Sequence, residues 1–329
     1  MAFPTIFRRT PRERDTLPQS VNCRAAALRR RGGRWCTFFL AVASVLSQKT
    51  GLLPAAECAM PGDRFSNDRS SLSVQEEAVE SFNRKIDLHG KTLELHLNHA
   101  QEERSHSNIL ILYASGDGGW FGEAIKMYEE VVHLGYPSVG FSSRSYMKLL
   151  SGVDQPVSVA ELGDDYEEIV REAEHFLALP VTTRTILTGW SRGAAFAVLV
   201  GSEKSFQRQL AGVIAIGLPD KEELNIRIHN KRIIVANLPS KHQHVIFDTY
   251  QRIPLIAPVP FSLIQSTRDN FLPASEARKL FGSESETDRF FAVEARNHRF
   301  SGGMDAFAES LKESIHWIVS RISSPPESH

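Results

Sequence analysis

Cysteine is nearly missing from this chain: of 329 residues three are cysteine, Cys23, Cys36 and Cys58, and none follows position 58. A structural disulfide, a thiolate nucleophile and a cysteine-ligated zinc are therefore excluded from the main body. Net charge is almost absent too, with 38 Lys+Arg against 39 Asp+Glu. The balance is uneven along the chain. Residues 1–58 hold 10 basic and 3 acidic residues, which leaves 28 basic against 36 acidic for the rest. An acidic body without a basic stripe argues against direct nucleic-acid binding. There is no internal repeat, and no low-complexity tract apart from the polar tail at 323–329. Phosphate-cradling motifs are also lacking: no Gly-x-Gly-x-x-Gly spacing occurs and no Gly-Lys-Ser/Thr follows a glycine-rich loop. An apolar fraction of 42 % with 23 % charged residues nevertheless describes a chain able to bury a core.

The basic head has a pattern of its own. Arg24, Arg29, Arg30, Arg31 and Arg34 precede the apolar run Trp35–Leu46, and a small-residue stretch, Pro54-Ala-Ala-Glu-Cys-Ala59, comes after it. The run is too short to span ~30 Å of hydrocarbon comfortably. Basic region, short apolar region and small residues are the layout of a secretory signal, the arginines staying on the cytoplasmic side. An uncleaved anchor is the alternative. Residues 1–59 thus read as a targeting segment and 60–83 as a polar linker, with the protein exported to the periplasm.

From residue 84 strand and helix patterns alternate. Lys85–His89 and Thr92–Leu97 alternate apolar and polar residues around His89-Gly90, which predicts an antiparallel hairpin. Short continuous apolar runs then mark strands buried on both faces: Ile109–Ala114, Ser138–Phe141, Arg184–Thr188, Gly212–Ile216, Val259–Gln265 and Arg289–Glu294. Helical spacing separates several of them, over Phe121–His133, Val159–Ala178, Arg192–Val200, Ala274–Phe281 and Met304–Ile322. The order implies an α/β domain over 84–322, with a mostly parallel sheet and helices on both faces. Ligands in such sheets bind beyond the carboxyl ends of the strands.

One motif stands at such an end. In Thr185-Ile-Leu-Thr-Gly189-Trp-Ser191-Arg-Gly193-Ala-Ala, a buried strand runs into Gly-x-Ser-x-Gly and then into a helix. That context is a nucleophile elbow, which lifts Ser191 above the sheet at the positive end of a helix. A serine hydroxyl needs a base, and the base needs an orienting acid, met in this arrangement in the order serine, acid, histidine. His298, in Arg296-Asn-His298-Arg-Phe-Ser-Gly-Gly, follows the last strand and is the candidate base. Asp269 in Ser266-Thr-Arg-Asp269 is the favoured acid; Asp220 in Gly217-Leu-Pro-Asp220 holds the equivalent place one strand earlier. His229, His242 and His244 lack carboxylate partners at metal-ligand spacing and read as solvated. The oxyanion would take one bond from the N–H of Arg192. A second would come from the loop after the first parallel strand, Ser115-Gly-Asp-Gly-Gly-Trp120, with Gly116, Asp117 and Gly118 as donors.

Elbow, late aspartate and last-loop histidine together resemble an α/β-hydrolase across residues 84–322. Ser115-Gly-Asp-Gly-Gly-Trp120, with Gly140-Phe-Ser-Ser-Arg144-Ser-Tyr146 after the next strand, is similar to the bacterial VirJ/AcvB virulence-protein family. The resemblance implies a periplasmic hydrolase linked to type IV secretion, in some members acting on aminoacyl-phosphatidylglycerol. It also implies Ser191, Asp269 and His298 as the triad. The family elbow reads Gly-Tyr-Ser-Phe-Gly-Ala-Asp, whereas here Arg192 sets a charge beside the serine.

The reading is therefore a serine hydrolase acting on a small-molecule or lipid ester, needing no metal or cofactor and touching a membrane surface only through its substrate. Trp120, Arg144, Tyr146 and Trp190 are candidate substrate contacts. Arg144, Tyr146, Lys148 and Arg192 would face an anionic head group, and segments 143–158 and 218–258 would set specificity, the latter as a small lid. Two alternatives stay open: a non-catalytic binding or chaperone protein on the same scaffold, and a peptidase of the same fold.

Overall fold

Strand β3 (Ile109–Ala114) is buried along its whole length, and its residues sort by parity. Leu110, Leu112 and Ala114 enter one apolar cluster, Ile109, Ile111 and Tyr113 the other. A strand places successive side chains on opposite faces, so a continuous apolar run builds two cores at once. The computed structural model describes residues 81–101, 108–150, 157–227 and 242–323. The expected targeting segment (1–59), the expected linker up to residue 80 and the tail from 324 lie outside the described residues.

Eight strands form one sheet in the order β1-β2-β4-β3-β5-β6-β9-β10. β1 (Ser81–Leu88) and β2 (Lys91–Asn98) make the expected antiparallel hairpin, and β2 joins β4 (Ser138–Phe141) antiparallel. All other pairings are parallel, through β5 (Arg184–Trp190), β6 (Leu210–Ile216), β9 (Phe261–Ser266) and β10 (Asp288–Val293). β1 starts at Ser81, a little before the expected boundary at 84. α1 (Glu123–His133) and α6 (Met304–Ser323) pack on one face. α2 (Ser143–Leu150), α3 (Val159–Phe176), α4 (Arg192–Gly201) and α5 (Ala274–Phe281) pack on the other. α3 starts where it does because Ser158 and Glu161 form a reciprocal capping box, satisfying two otherwise orphaned N–H groups.

From β3 the chain moves outward to β4, then returns to β5 on the other side of β3. The loops that leave β3 and β5 therefore diverge, and the crevice between them at the carboxyl edge is where such sheets bind ligands. Two elements depart from expectation. Segment 143–158 begins with helix α2, which buries Tyr146, Leu149 and Leu150 against the sheet. Segment 218–258 contains a separate antiparallel hairpin, β7 (Lys221–Arg227) with β8 (His242–Asp248). The charged start of β7, Lys221-Glu-Glu, hides its strand character from any reading of apolar pattern. Among the described residues no helix is long and apolar enough to cross a membrane.

Candidate active site

The turn between β5 and α4 is held by backbone contact. A Cβ on Gly193 would come within 2.0 Å of the Ala114 carbonyl oxygen, and one on Gly189 within 2.4 Å of Gly193 itself. Only glycine permits this approach, which presses the start of α4 onto the ends of β3 and β5. Ser191, at the apex, has φ 57° and ψ −117°, a conformation that costs a non-glycine residue on the order of 1–3 kcal/mol. Its N–H is tied to the Ile216 carbonyl at 2.8 Å, so the neighbouring strand helps hold the strain. The first N–H groups of α4, Arg192 among them, have no acceptor within the helix, and Ser191 and Arg192 line the cleft.

His298 reaches the same crevice from the loop after β10. That loop is fastened by its own bonds: the Asn297 side chain accepts from the N–H groups of Arg299 (2.9 Å) and Ser301 (3.3 Å), and Phe300 is buried against Phe307. The indole N–H of Trp190 donates to the His298 carbonyl at 3.1 Å. Gly217, at φ +59°, lets the imidazole lie against the backbone at the end of β6; a Cβ there would stand 2.9 Å from His298 Cε1.

Asp269 and His298 meet because β9 and β10 are parallel neighbours, so their following loops emerge side by side. His298 Nδ1 lies 2.6 Å from Asp269 Oδ2, with the aspartate side chain fully buried. The carboxylate also accepts from Gln265 Nε2 (3.2 Å) and from the N–H groups of Phe271 (2.8 Å) and Leu272 (3.3 Å). A buried charge needs such a full set of donors. The other ring nitrogen, His298 Nε2, is buried and makes no hydrogen bond within the protein. Asp220 is exposed on the cleft wall and is not the partner of His298.

The cleft, of about 830 Å³, is lined by Ser191, His298, Trp190 and the Asp117–Gly119 loop, with Phe121 and Phe271 at its mouth. Both phenylalanines are well exposed, at 63 % and 73 %. Asp220, Lys221, Glu222 and Glu223 also line the cleft. Sequence reasoning missed Phe121, Phe271 and Glu222, which carry no motif and become neighbours of Ser191 only through chain topology. Glu222 is the notable case: burial pushes its carboxyl up to about 7, against the opposing pull of Arg192. Among the described residues no three His, Cys, Asp or Glu side chains converge as a metal site would.

Five residues expected to face substrate or its head group are placed differently by the structure. Tyr146 is fully buried in α2 and donates to Asp165 Oδ2 at 2.7 Å, so it belongs to the core. Trp120 turns away from the cleft and stacks on His96 at 4.0 Å between ring centres. Arg144 and Lys148 are exposed on α2 and do not line the cleft. The Arg192 side chain is paired with Asp117 and Glu222, which occupies it within the protein. Gly116 does not open onto the cleft either; it backs Ser191, its Cα side lying against Ser191 Cβ and the Trp190 ring. Trp190 is the one of the four named contacts that does line the cleft.

No protein-family model matches this chain, and no curated protein matches it. Solved structures do. Est1E from Butyrivibrio proteoclasticus aligns with a TM-score of 0.50 at 11 % identity, covering 72 % of this chain and 99 % of its own. The esterase domain of a Rhodothermus marinus protein aligns at 0.48 with 14 % identity, covering 73 % and 99 %. An α/β serine hydrolase without lid from Xanthomonas campestris aligns at 0.48 with 12 % identity, covering 72 % and 94 %. The chain has the α/β-hydrolase fold.

Proposed function

We propose that this protein is a serine hydrolase that cleaves an ester or related acyl bond. The observation that carries the reading is the buried Asp269–His298 contact, which leaves Nε2 unpartnered in the cleft that holds the strained Ser191. Ser191 Oγ attacks the carbonyl carbon while Nε2 takes its proton; catalytic contacts of this kind tighten when substrate is bound. Asp269 holds the tautomer with the proton on Nδ1 and stabilises the imidazolium without accepting the proton. The tetrahedral oxyanion receives the N–H of Arg192 and an N–H from the loop at Asp117–Gly118, which lines the cleft. Loss of one such donor typically costs about 2.7–4 kcal/mol. His298 then protonates the leaving alcohol, and water repeats the sequence on the acyl-enzyme.

The cleft bears on substrate choice. Trp190, Phe121 and Phe271 offer an apolar surface for an acyl chain or lipid. Acidic side chains outnumber basic ones in the cleft lining, Asp117, Glu123, Asp220, Glu222 and Glu223 against Arg192, Lys221 and Arg299, which disfavours an anion deep in the site. A cationic amino group suits that acidic excess, which supports the aminoacylated phospholipid suggested by the VirJ/AcvB resemblance. The basic and apolar pattern over 24–59 supports action in the periplasm.

The test is labelling with a fluorophosphonate probe, comparing the wild type with folded Ser191→Ala, His298→Ala and Asp220→Asn variants. Labelling of the wild type and Asp220→Asn alone supports the reading. A folded wild type that never labels points to a binding scaffold instead.

A further inference from the structure

The residue after the proposed nucleophile carries a guanidinium that two carboxylates grip from two other segments. Arg192 Nε donates to Glu222 Oε1 at 2.6 Å, and Nη1 is paired with Asp117. Glu222 is the second residue of β7, with its side chain 7 % exposed; Asp117 sits in the glycine-rich loop after β3 and is 65 % exposed. One side chain thus ties together the elbow, the loop expected to supply the second oxyanion donor, and the root of the β7–β8 hairpin.

The loop needs such a restraint. Three of its residues, Gly116, Gly118 and Gly119, are glycines with little conformational preference of their own. Its ends are fastened by the Ser115 N–H to the Phe141 carbonyl (3.0 Å), by Ser115 Oγ, which accepts from the Ser143 N–H (3.1 Å), and by the Trp120 ring on His96, while within it the Gly119 N–H bonds the Gly116 carbonyl (3.0 Å). Asp117 is the residue whose side chain reaches across to the elbow. A planar guanidinium with fixed donor directions suits this, since it sets an angle as well as a distance. Glu222, for its part, stands near Asp117 and Glu223, and Arg192 is the cation that offsets their repulsion.

We infer that the Arg192 side chain, gripped by Asp117 and Glu222, is a positioning residue that holds the two halves of the oxyanion hole in register. This rests on the reading of Ser191 as the nucleophile. The clamp itself touches no reacting atom. Its effect falls on the transition state, where misplacement by about 1 Å costs on the order of a hundredfold in rate, and much less on ground-state binding.

The experiment measures p-nitrophenyl acetate hydrolysis and fluorophosphonate labelling rate for the wild type, Arg192→Met, Arg192→Lys, Asp117→Asn and the double variant Arg192→Met/Asp117→Asn. Arg192→Met is expected to lower kcat about 10–100-fold with KM within about threefold. Arg192→Lys, which keeps the charge but loses the fork, should fall between it and wild type. The double variant should be no worse than Arg192→Met alone, because both remove one clamp. Wild-type kcat in Arg192→Met, a loss confined to KM, or additive losses would overturn the clamp while leaving the hydrolase reading intact. Asp117→Asn, at an exposed position, decides the matter should Arg192→Met not fold: wild-type kcat there overturns the clamp. A folded wild type that neither labels nor hydrolyses would overturn the hydrolase reading, and the clamp with it.

Discussion

His298–Asp269 and His89–Asp165 are the same pair of side chains at similar separations, 2.6 Å in one and 2.8 Å in the other. In the first, Nδ1 faces the carboxylate and the free Nε2 is buried in the cleft of Ser191. In the second, Nε2 faces the carboxylate, the imidazole is 35 % exposed at a hairpin turn, and Tyr146 occupies the rest of Asp165. That pair fastens the β1–β2 turn to α3 and α2. A histidine–aspartate contact is therefore not a catalytic signature in itself. Which nitrogen is engaged, and what the other nitrogen sees, sets the two apart.

The largest expected effect separates the two pairs directly. Asp269→Asn should lower kcat by about 10²–10⁴-fold by favouring the wrong tautomer of His298. Equal losses from Asp269→Asn and Asp165→Asn in the same ester assay would erase the distinction. Glu222, a buried carboxylate in the cleft lining, tests whether burial without a full set of donors has the opposite consequence. Its carboxyl is pushed up to about 7 from an ordinary 4.5, so the folded state holds this proton more tightly than the unfolded chain. The stability this contributes is fully present below about 4.5 and is lost as pH rises through about 7. Glu222→Gln should gain on the wild type over that window by on the order of 3 kcal/mol, read from thermal melts at several pH values.

A smaller change probes the seat of the Asp269–His298 pair. Gly217→Ala places a Cβ against His298 Cε1 and should reduce kcat about 10–100-fold with the fold retained. Unchanged kcat would mean that the imidazole shifts freely and that its seat is not restrictive. The smallest effect belongs to the hairpin pair. Asp165→Asn weakens the bonds to Tyr146 and His89 and should lower stability by about 1–2 kcal/mol, measured by denaturant unfolding, with ester hydrolysis near wild type. A large loss of activity there would show that the hairpin pair is coupled to the cleft.

Much of this arrangement was legible beforehand, for local reasons. The parallel strands show as apolar runs because both their faces are buried, and the elbow shows because close packing admits only glycine at 189 and 193. The order of Ser191, Asp269 and His298 then followed from the order of the strands. Elsewhere the local signal was misleading. Tyr146 and Trp120 lie next to motif residues in sequence, yet one points into the core and the other onto the hairpin. Direction depends on which face of α2 or of the loop meets the sheet, and no spacing rule carries that. β7 was hidden by its charges, and Glu222 with it.

Local sequence carries the alternation of strands and helices, the serine at the apex of the turn and the loops on which an acid and a base must stand. Each of these is written in periodicity or in glycine, that is, in chemistry among near neighbours. Tertiary structure decided that Asp269 rather than Asp220 holds His298, that Arg192 is spent on Asp117 and Glu222, and that Phe121 and Phe271 flank the cleft. Those contacts join residues far apart in the chain, and the pairing of strands, with the burial it imposes, is what selects among the partners composition would allow.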